Sequence, residues 1–131
     1  GDAMYGVREY AIKKGVSEHI EFMGSRTDIS RFYQAMDLFL FPSFHEGLPI
    51  AGIEAQTADL PCLFSDAITS EIMITDRAVS VPLDLGASEW AKKAILLAKA
   101  QGRENVADKI IALGYDAADM GKRMERIYEQ Q

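Results

Sequence analysis

The sequence has a single cysteine, Cys62, among 131 residues. One thiol excludes an internal disulfide, and a cytosolic location is expected. No apolar run approaches the ~20 residues that span a bilayer, and no signal-peptide pattern opens the chain. Positive charge is scarce: 14 lysines and arginines stand against 20 aspartates and glutamates, a net charge of −6. That balance leaves no electrostatic footprint for nucleic acid or an anionic membrane, so small molecules bound in a local site are the expected partners. Internal repeats and low-complexity segments are absent. What remains is ordinary globular composition, 48% hydrophobic and 26% charged, at a length that suits one buried core.

Hydrophobic spacing divides the chain into alternating elements. Met4, Val7, Tyr10 and Ala11 share one helical face, closed by Gly15 as a C-cap. HIEFM, residues 19–23, is short and apolar and predicts a strand, ended by Gly24. Asp28 is placed to cap a short helix reaching Met36. DLFLF, residues 37–41, is an unbroken apolar run, as expected of a parallel strand covered on both faces. Pro49 suits the first turn of a helix running to about Ala58. PCLF, residues 61–64, predicts the next strand. VSVPL, residues 79–83, predicts an edge strand, since Pro82 has no N–H for a central ladder. Three helical stripes follow: Trp90, Ala94, Ile95, Leu97 and Ala98; then Val106, Ile110, Ile111 and Leu113; then Met120, Met124, Ile127 and Tyr128. The alternation predicts an α/β fold, a Rossmann-like parallel sheet with helices on both faces. Ligands of such sheets bind beyond the carboxyl ends of the strands, which singles out the loops at residues 24–28 and 43–48.

Chemistry concentrates in FPSFHEGLPIAGIE, residues 41–54. Glu46 lies in the loop and Glu54 inside the following helix, on the order of 10 Å apart at ~1.5 Å rise per helical residue. Gly47, between them, has no Cβ to keep a ligand from the backbone. The first amides of the helix lack intrahelical acceptors and carry partial positive charge, which suits a phosphate. Ionised carboxylates only accept hydrogen bonds, so they match the paired hydroxyls of a hexose and of a ribose. A bare pair of glutamates at this spacing is more often a lysine-paired helix charge and an ordinary loop charge. The Pro-Ser-x-x-Glu-Gly-Leu-Pro setting after an apolar strand turns the reading toward a nucleoside diphosphate sugar.

That setting carries a resemblance. FPSFHEGLPIAGIEAQTADLPCLFSD resembles the signature region of the retaining, two-domain GT-B-type glycosyltransferases of family four (glycosyl transferases group 1), in which a glutamate, seven residues and a second glutamate follow a strand ending in Pro-Ser. HIEFMGSRTDISRFYQAMDLFLFPS is similar to the segment preceding that motif, MGKRMERIYEQ to the closing helix, and Gly1-Asp2-Ala3 to a Gly-Asp-Gly turn. LPCLFSDAITSEIMITD with Glu89-Trp90-Ala91 looks most like members that build bacterial capsular and exopolysaccharides. The resemblance implies that residues 1–131 form the donor-binding domain of such an enzyme. Glu46 would contact the donor hexose at the catalytic centre, Glu54 the ribose, and the Gly47 and Leu48 amides the diphosphate. The backbone at Ser25 and Arg26 would lie against the base. It further implies transfer to a glycan or lipid-linked acceptor with retention, no cofactor and no enzyme-bound metal, which agrees with the lack of an Asp-x-Asp motif. The full-length protein would be cytosolic and peripheral to the inner membrane. Ala3 and Asp59 stand where the family carries glycine.

The chain opens abruptly into a helical pattern, as expected of a piece lacking its first strands and its N-terminal acceptor domain. Alone it is expected to turn over no nucleotide sugar, and its unpaired sheet edge is expected to favour self-association. Several residues are read blandly: His45 as a loop residue, His19, Asp66 and Thr69 as structural, Glu71 as a cap or ion-pair residue, Trp90 and the Met120 and Met124 stripe as core or docking surface, and Cys62 as an inert buried hydrophobe. Two other functions compete. A nucleotide-sugar epimerase would need further acidic and histidine groups that cannot be assigned, and a non-catalytic receiver-type α/β domain would need an acidic cluster near a lysine.

Overall fold

The computed structural model describes residues 2–99 and 102–115. Helix α1 spans Asp2–Lys13, and Gly15 follows at a φ of 69°, the left-handed conformation of a helix stop. Helix α2 (Ile29–Ala35) precedes strand β1 (Phe39–Phe41). Helix α3 (Ile50–Thr57), with Pro49 as its N-cap residue, precedes β2 (Cys62–Ser65) and β3 (Ala78–Val81). Helices α4 (Gly86–Ala98) and α5 (Ala107–Ala112) complete the described chain. The strands form one parallel sheet in the order β1-β2-β3, with Phe39 opposite Cys62 and Cys62 opposite Ala78. The expected α/β fold is therefore present.

Residue alternation along β2 builds a core on each face of the sheet. Cys62 and Phe64 point toward α2 and α3 and pack with Tyr33, Ala55, Leu60, Ile68 and Ile72. Leu63 points the other way, joining Val81 and Trp90 of α4. Trp90 is buried and its indole N–H donates to the Pro82 carbonyl at 2.9 Å, so this residue is core. Gly52 makes the first face possible: a Cβ there would stand 2.8 Å from the Phe64 ring and 3.0 Å from Ile72.

Several expectations fail for physical reasons. HIEFM is not a strand: residues 17–19 form a 3-10 turn, and residues 20–23 are unpaired. His19 accordingly ends a turn instead of opening a strand. Strand β1 is not covered on both faces, since Leu40 is 49% exposed and β1 pairs only with β2. Asp28 occupies the N-cap position of α2 without capping it, because both its oxygens accept from the Arg26 guanidinium, at 2.8 and 3.0 Å. Ile95 of α4, Ile111 of α5 and Leu113 just after it are exposed, whereas Trp90 and Ile110 are buried. The Met120–Tyr128 stripe lies outside the described residues.

Cys62 is fully buried, its thiol facing the Leu60 carbonyl at 3.1 Å. Burial pushes the thiol from its ordinary 9.0 up to about 12. Because the folded value is raised, this group's contribution to stability is intact below pH ~9 and is lost as pH rises through about 12. Cys62 is expected to resist an aromatic disulfide reagent at pH 8 and to react promptly in urea. Labelling of the native protein at the rate of an exposed thiol would contradict its placement.

Candidate functional site

Residues 42–49 leave the carboxyl end of β1 and enter α3, so this loop stands where parallel sheets bind ligands. Three contacts hold it. The Ser65 hydroxyl at the end of β2 donates to the Ser43 carbonyl. The Ser43 hydroxyl lies 3.3 Å from a Glu46 carboxylate oxygen. The Glu46 backbone forms a parallel bridge with Ile68, just beyond β2. Hydrogen bonding thus fixes the loop from β2 while the Glu46 side chain stays exposed.

Glu54 is placed by a different element. Its carboxylate accepts from the Tyr33 hydroxyl of α2 at 3.2 Å, across 21 residues of sequence. A cavity of about 260 Å³ opens beside this pair, lined by Ile29, Ser30, Tyr33, Gln34, Glu54 and Thr57, among others. Among the described residues neither glutamate joins a lysine or arginine in an ion pair. Both carboxylates meet hydroxyl donors and remain open to more.

Gly47 and Leu48 lie on the same loop, and a Cβ added at Gly47 would meet nothing within 4 Å. No feature of the fold therefore demands glycine there. Pro49 is buried and is the N-cap residue of α3, its carbonyl accepting from the Gly52 N–H at 3.0 Å. Ser25 and Arg26 sit in the exposed segment leading into α2, after Gly24 at a φ of 65°. The Arg26 guanidinium is held by Asp28 and lies 4.6 Å from the Phe32 ring centre. No contact among the described residues ties Ser25 to either glutamate. His45 is exposed on the loop, and its carbonyl, at 3.4 Å, shares the single Ser43 hydroxyl donor with the Glu46 carboxylate. Thr69 caps a turn by accepting from the Glu71 N–H at 3.5 Å, while the Glu71 carbonyl accepts from Tyr115.

Sequence reasoning missed the residues that fasten the site from behind. Gln56 is fully buried, and its amide is used completely: Nε2 donates to the Gly52 and Ile72 carbonyls, and Oε1 accepts from the Ile74 and Thr75 amides and the Thr75 hydroxyl. It ties α3 to the segment that follows Ile68, the partner of Glu46. Asp59 has a φ of 50°, where glycine is favoured and aspartate is tolerated better than most residues. Its carboxylate pairs with Arg77 at 3.3 Å and accepts from the Glu104 N–H at 2.6 Å, which explains a non-glycine residue at this turn. Arg103 donates to the Tyr33, Met36 and Ala58 carbonyls and so satisfies the ends of α2 and α3. The signal for Tyr33 was a hydroxyl on the apolar face of a short helix, but its partner is not local.

The loop carrying Glu46 thus stands at the carboxyl ends of the parallel strands of an α/β domain. The profile of glycosyl transferases group 1 matches residues 1–116, and the chain belongs to that family. It is 32% identical over 116 residues to EpsF of Bacillus subtilis (strain 168), named as a glycosyltransferase, covering 85% of this chain and 30% of EpsF. Over 57 residues it is 37% identical to the UDP-Gal:alpha-D-GlcNAc-diphosphoundecaprenol alpha-1,3-galactosyltransferase of Escherichia coli, covering 44% of this chain and 15% of that protein. Over 105 residues it is 32% identical to the Vi polysaccharide biosynthesis protein VipC/TviE of Salmonella typhi, covering 74% and 18% respectively. The chain thus spans less than a third of each of these relatives. No solved structure gives a significant match.

Proposed function

We propose that residues 1–131 are the donor-binding domain of a GT-B-type glycosyltransferase that moves a sugar from a nucleoside diphosphate sugar to a glycan or lipid-linked acceptor with retention. The setting is bacterial surface-polysaccharide assembly, in keeping with the names of the similar proteins. The observation that carries the reading is the pair of exposed carboxylates, Glu46 at the loop and Glu54 on α3, each held by a hydroxyl and neither joined to a cation among the described residues. Such groups accept hydrogen bonds from sugar hydroxyls without first breaking an ion pair. Glu46 takes the hexose, at the reacting end, and Glu54 the ribose. The Gly47 and Leu48 amides take the diphosphate between them, and the backbone of Ser25 and Arg26 meets the base. The nucleotide sugar is substrate, and no resident cofactor or metal enters this reading. The acceptor belongs to a second domain, as in a protein cytosolic and peripheral to the inner membrane.

Gly47→Ala separates ligand binding from folding. The added Cβ meets open space, so the melting temperature is expected to stay within about 2 °C, the effect of a change under ~0.5 kcal/mol. In the full-length protein, affinity for the nucleoside diphosphate is expected to fall by about tenfold or more as the methyl displaces phosphate from the amides, a loss of about 1.5–3 kcal/mol. An unchanged affinity would place the diphosphate elsewhere.

A further inference from the structure

We propose that Tyr33 is a positioning residue that holds the Glu54 carboxylate in the orientation required to receive a vicinal diol. The inference rests on the donor-site reading above. Tyr33 is 5% exposed, and its ring packs edge-on against Phe39, with centroids 6.0 Å apart at 77°. The ring therefore has little freedom, and the hydroxyl is delivered to a fixed point. Arg103 reinforces the placement by binding the Tyr33 carbonyl at 2.8 Å. Glu54, in contrast, is an exposed side chain on a helix, and without a partner its carboxylate would rotate among several orientations.

The hydroxyl donates to one oxygen of Glu54. A carboxylate offers about four lone-pair sites, so one donor fixes its plane and leaves both oxygens able to accept. Two adjacent ribose hydroxyls need that arrangement, two acceptor oxygens held side by side. Burial, and the negative charge of Glu54 beside it, push the Tyr33 hydroxyl up to about 12, so it remains a donor throughout the neutral range. A phenylalanine at this position would keep the packing against Phe39 and lose only the tether.

The test uses the full-length protein and whichever of UDP, GDP or ADP binds it most tightly, together with the 2′,3′-dideoxy form of that nucleotide. Tyr33→Phe is expected to weaken the ribose-bearing nucleotide by about three- to tenfold, the range of one ordinary hydrogen bond. It is expected to spare the dideoxy form, which has no diol to position, and to raise KM with kcat little changed. In a Glu54→Gln background the same substitution is expected to add less than twofold, because the two residues act through one contact. Equal weakening of both nucleotides would mark a merely structural role and overturn the inference, as would no weakening of either. If Glu54→Gln weakens only the ribose-bearing form while Tyr33→Phe weakens neither, the positioning role fails and the donor site stands. Failure of all three nucleotides to bind, or of Glu54→Gln to discriminate the two forms, overturns the donor-site reading and this inference with it.

Discussion

Replacing Glu54 by Gln in the full-length protein is expected to weaken nucleoside diphosphate and nucleotide sugar alike, because both ligands carry the ribose. Replacing Glu46 by Gln is expected to spare the free nucleoside diphosphate, which lacks the hexose, and to impair sugar transfer. A hydrogen bond to a charged group contributes about 1.5–3 kcal/mol, so each affected constant should change roughly 10- to 150-fold. Among the described residues neither carboxylate supports the fold beyond a single hydroxyl contact, to Tyr33 for Glu54 and to Ser43 for Glu46. Melting temperatures should therefore stay close to that of the parent. If Glu46→Gln weakens the nucleoside diphosphate as much as the nucleotide sugar in a well-folded protein, the roles assigned to the two glutamates are wrong.

The largest effect on folding is expected at Gln56. Gln56→Leu keeps the volume and removes every polar partner of a fully buried amide. The Thr75 N–H would then lose its acceptor, while the Ile74 N–H and the Ile72 carbonyl would keep only the bond between them, at 2.9 Å. A fully orphaned buried group costs about 1–3 kcal/mol and a partly satisfied one less, which brings the expected loss to about 3 kcal/mol. In a domain of this size that corresponds to a melting temperature lower by roughly 10 °C. The segment it releases follows Ile68, the bridge partner of Glu46, so nucleotide-sugar affinity should decline as well. Thermal unfolding checks the first effect, and a change smaller than about 1 kcal/mol would show that Gln56 does not latch α3 to this segment.

The sequence announces β1, α3 and β2 clearly, because local patterns and overall packing agree there. DLFLF and PCLF are apolar runs closed by Pro42 and Ser65, and Pro49 starts α3 at the position where a missing N–H costs least. HIEFM shows where such patterns stop. Its residues suit a strand, but a strand exists only by pairing, and pairing is decided by distant segments. The loop carrying Glu46 and the helix carrying Glu54 were legible from residue type and spacing. Their restraints were not, since Tyr33 lies 21 residues from Glu54, and Ser65 lies 22 from Ser43. Asp59 illustrates a third case. Its departure from glycine looked incidental in sequence, yet at a φ of 50° it joins Arg77 and the backbone of Glu104 to the turn before β2.

A second cavity supplies a competing location for an anionic ligand. It measures about 650 Å³ and is lined by Arg77, Lys99 and Arg103 with Asp37 and Pro61, residues that precede the strands. It therefore lies at the amino ends of β1, β2 and β3, opposite Glu46. Two of its cations are already engaged, Arg77 with Asp59 and the Gly102 carbonyl, Arg103 with the helix-end carbonyls. Titrating the protein with UDP, GDP and ADP while following backbone amide shifts distinguishes the two ends directly. The donor-site account predicts saturable shifts at Gly47 and Leu48, with smaller ones at Ser25, Arg26 and Glu54, and none at Arg77 or Arg103. Shifts centred on Arg77 and Arg103, or no saturable shift at Gly47 with any of the three nucleotides, would contradict it.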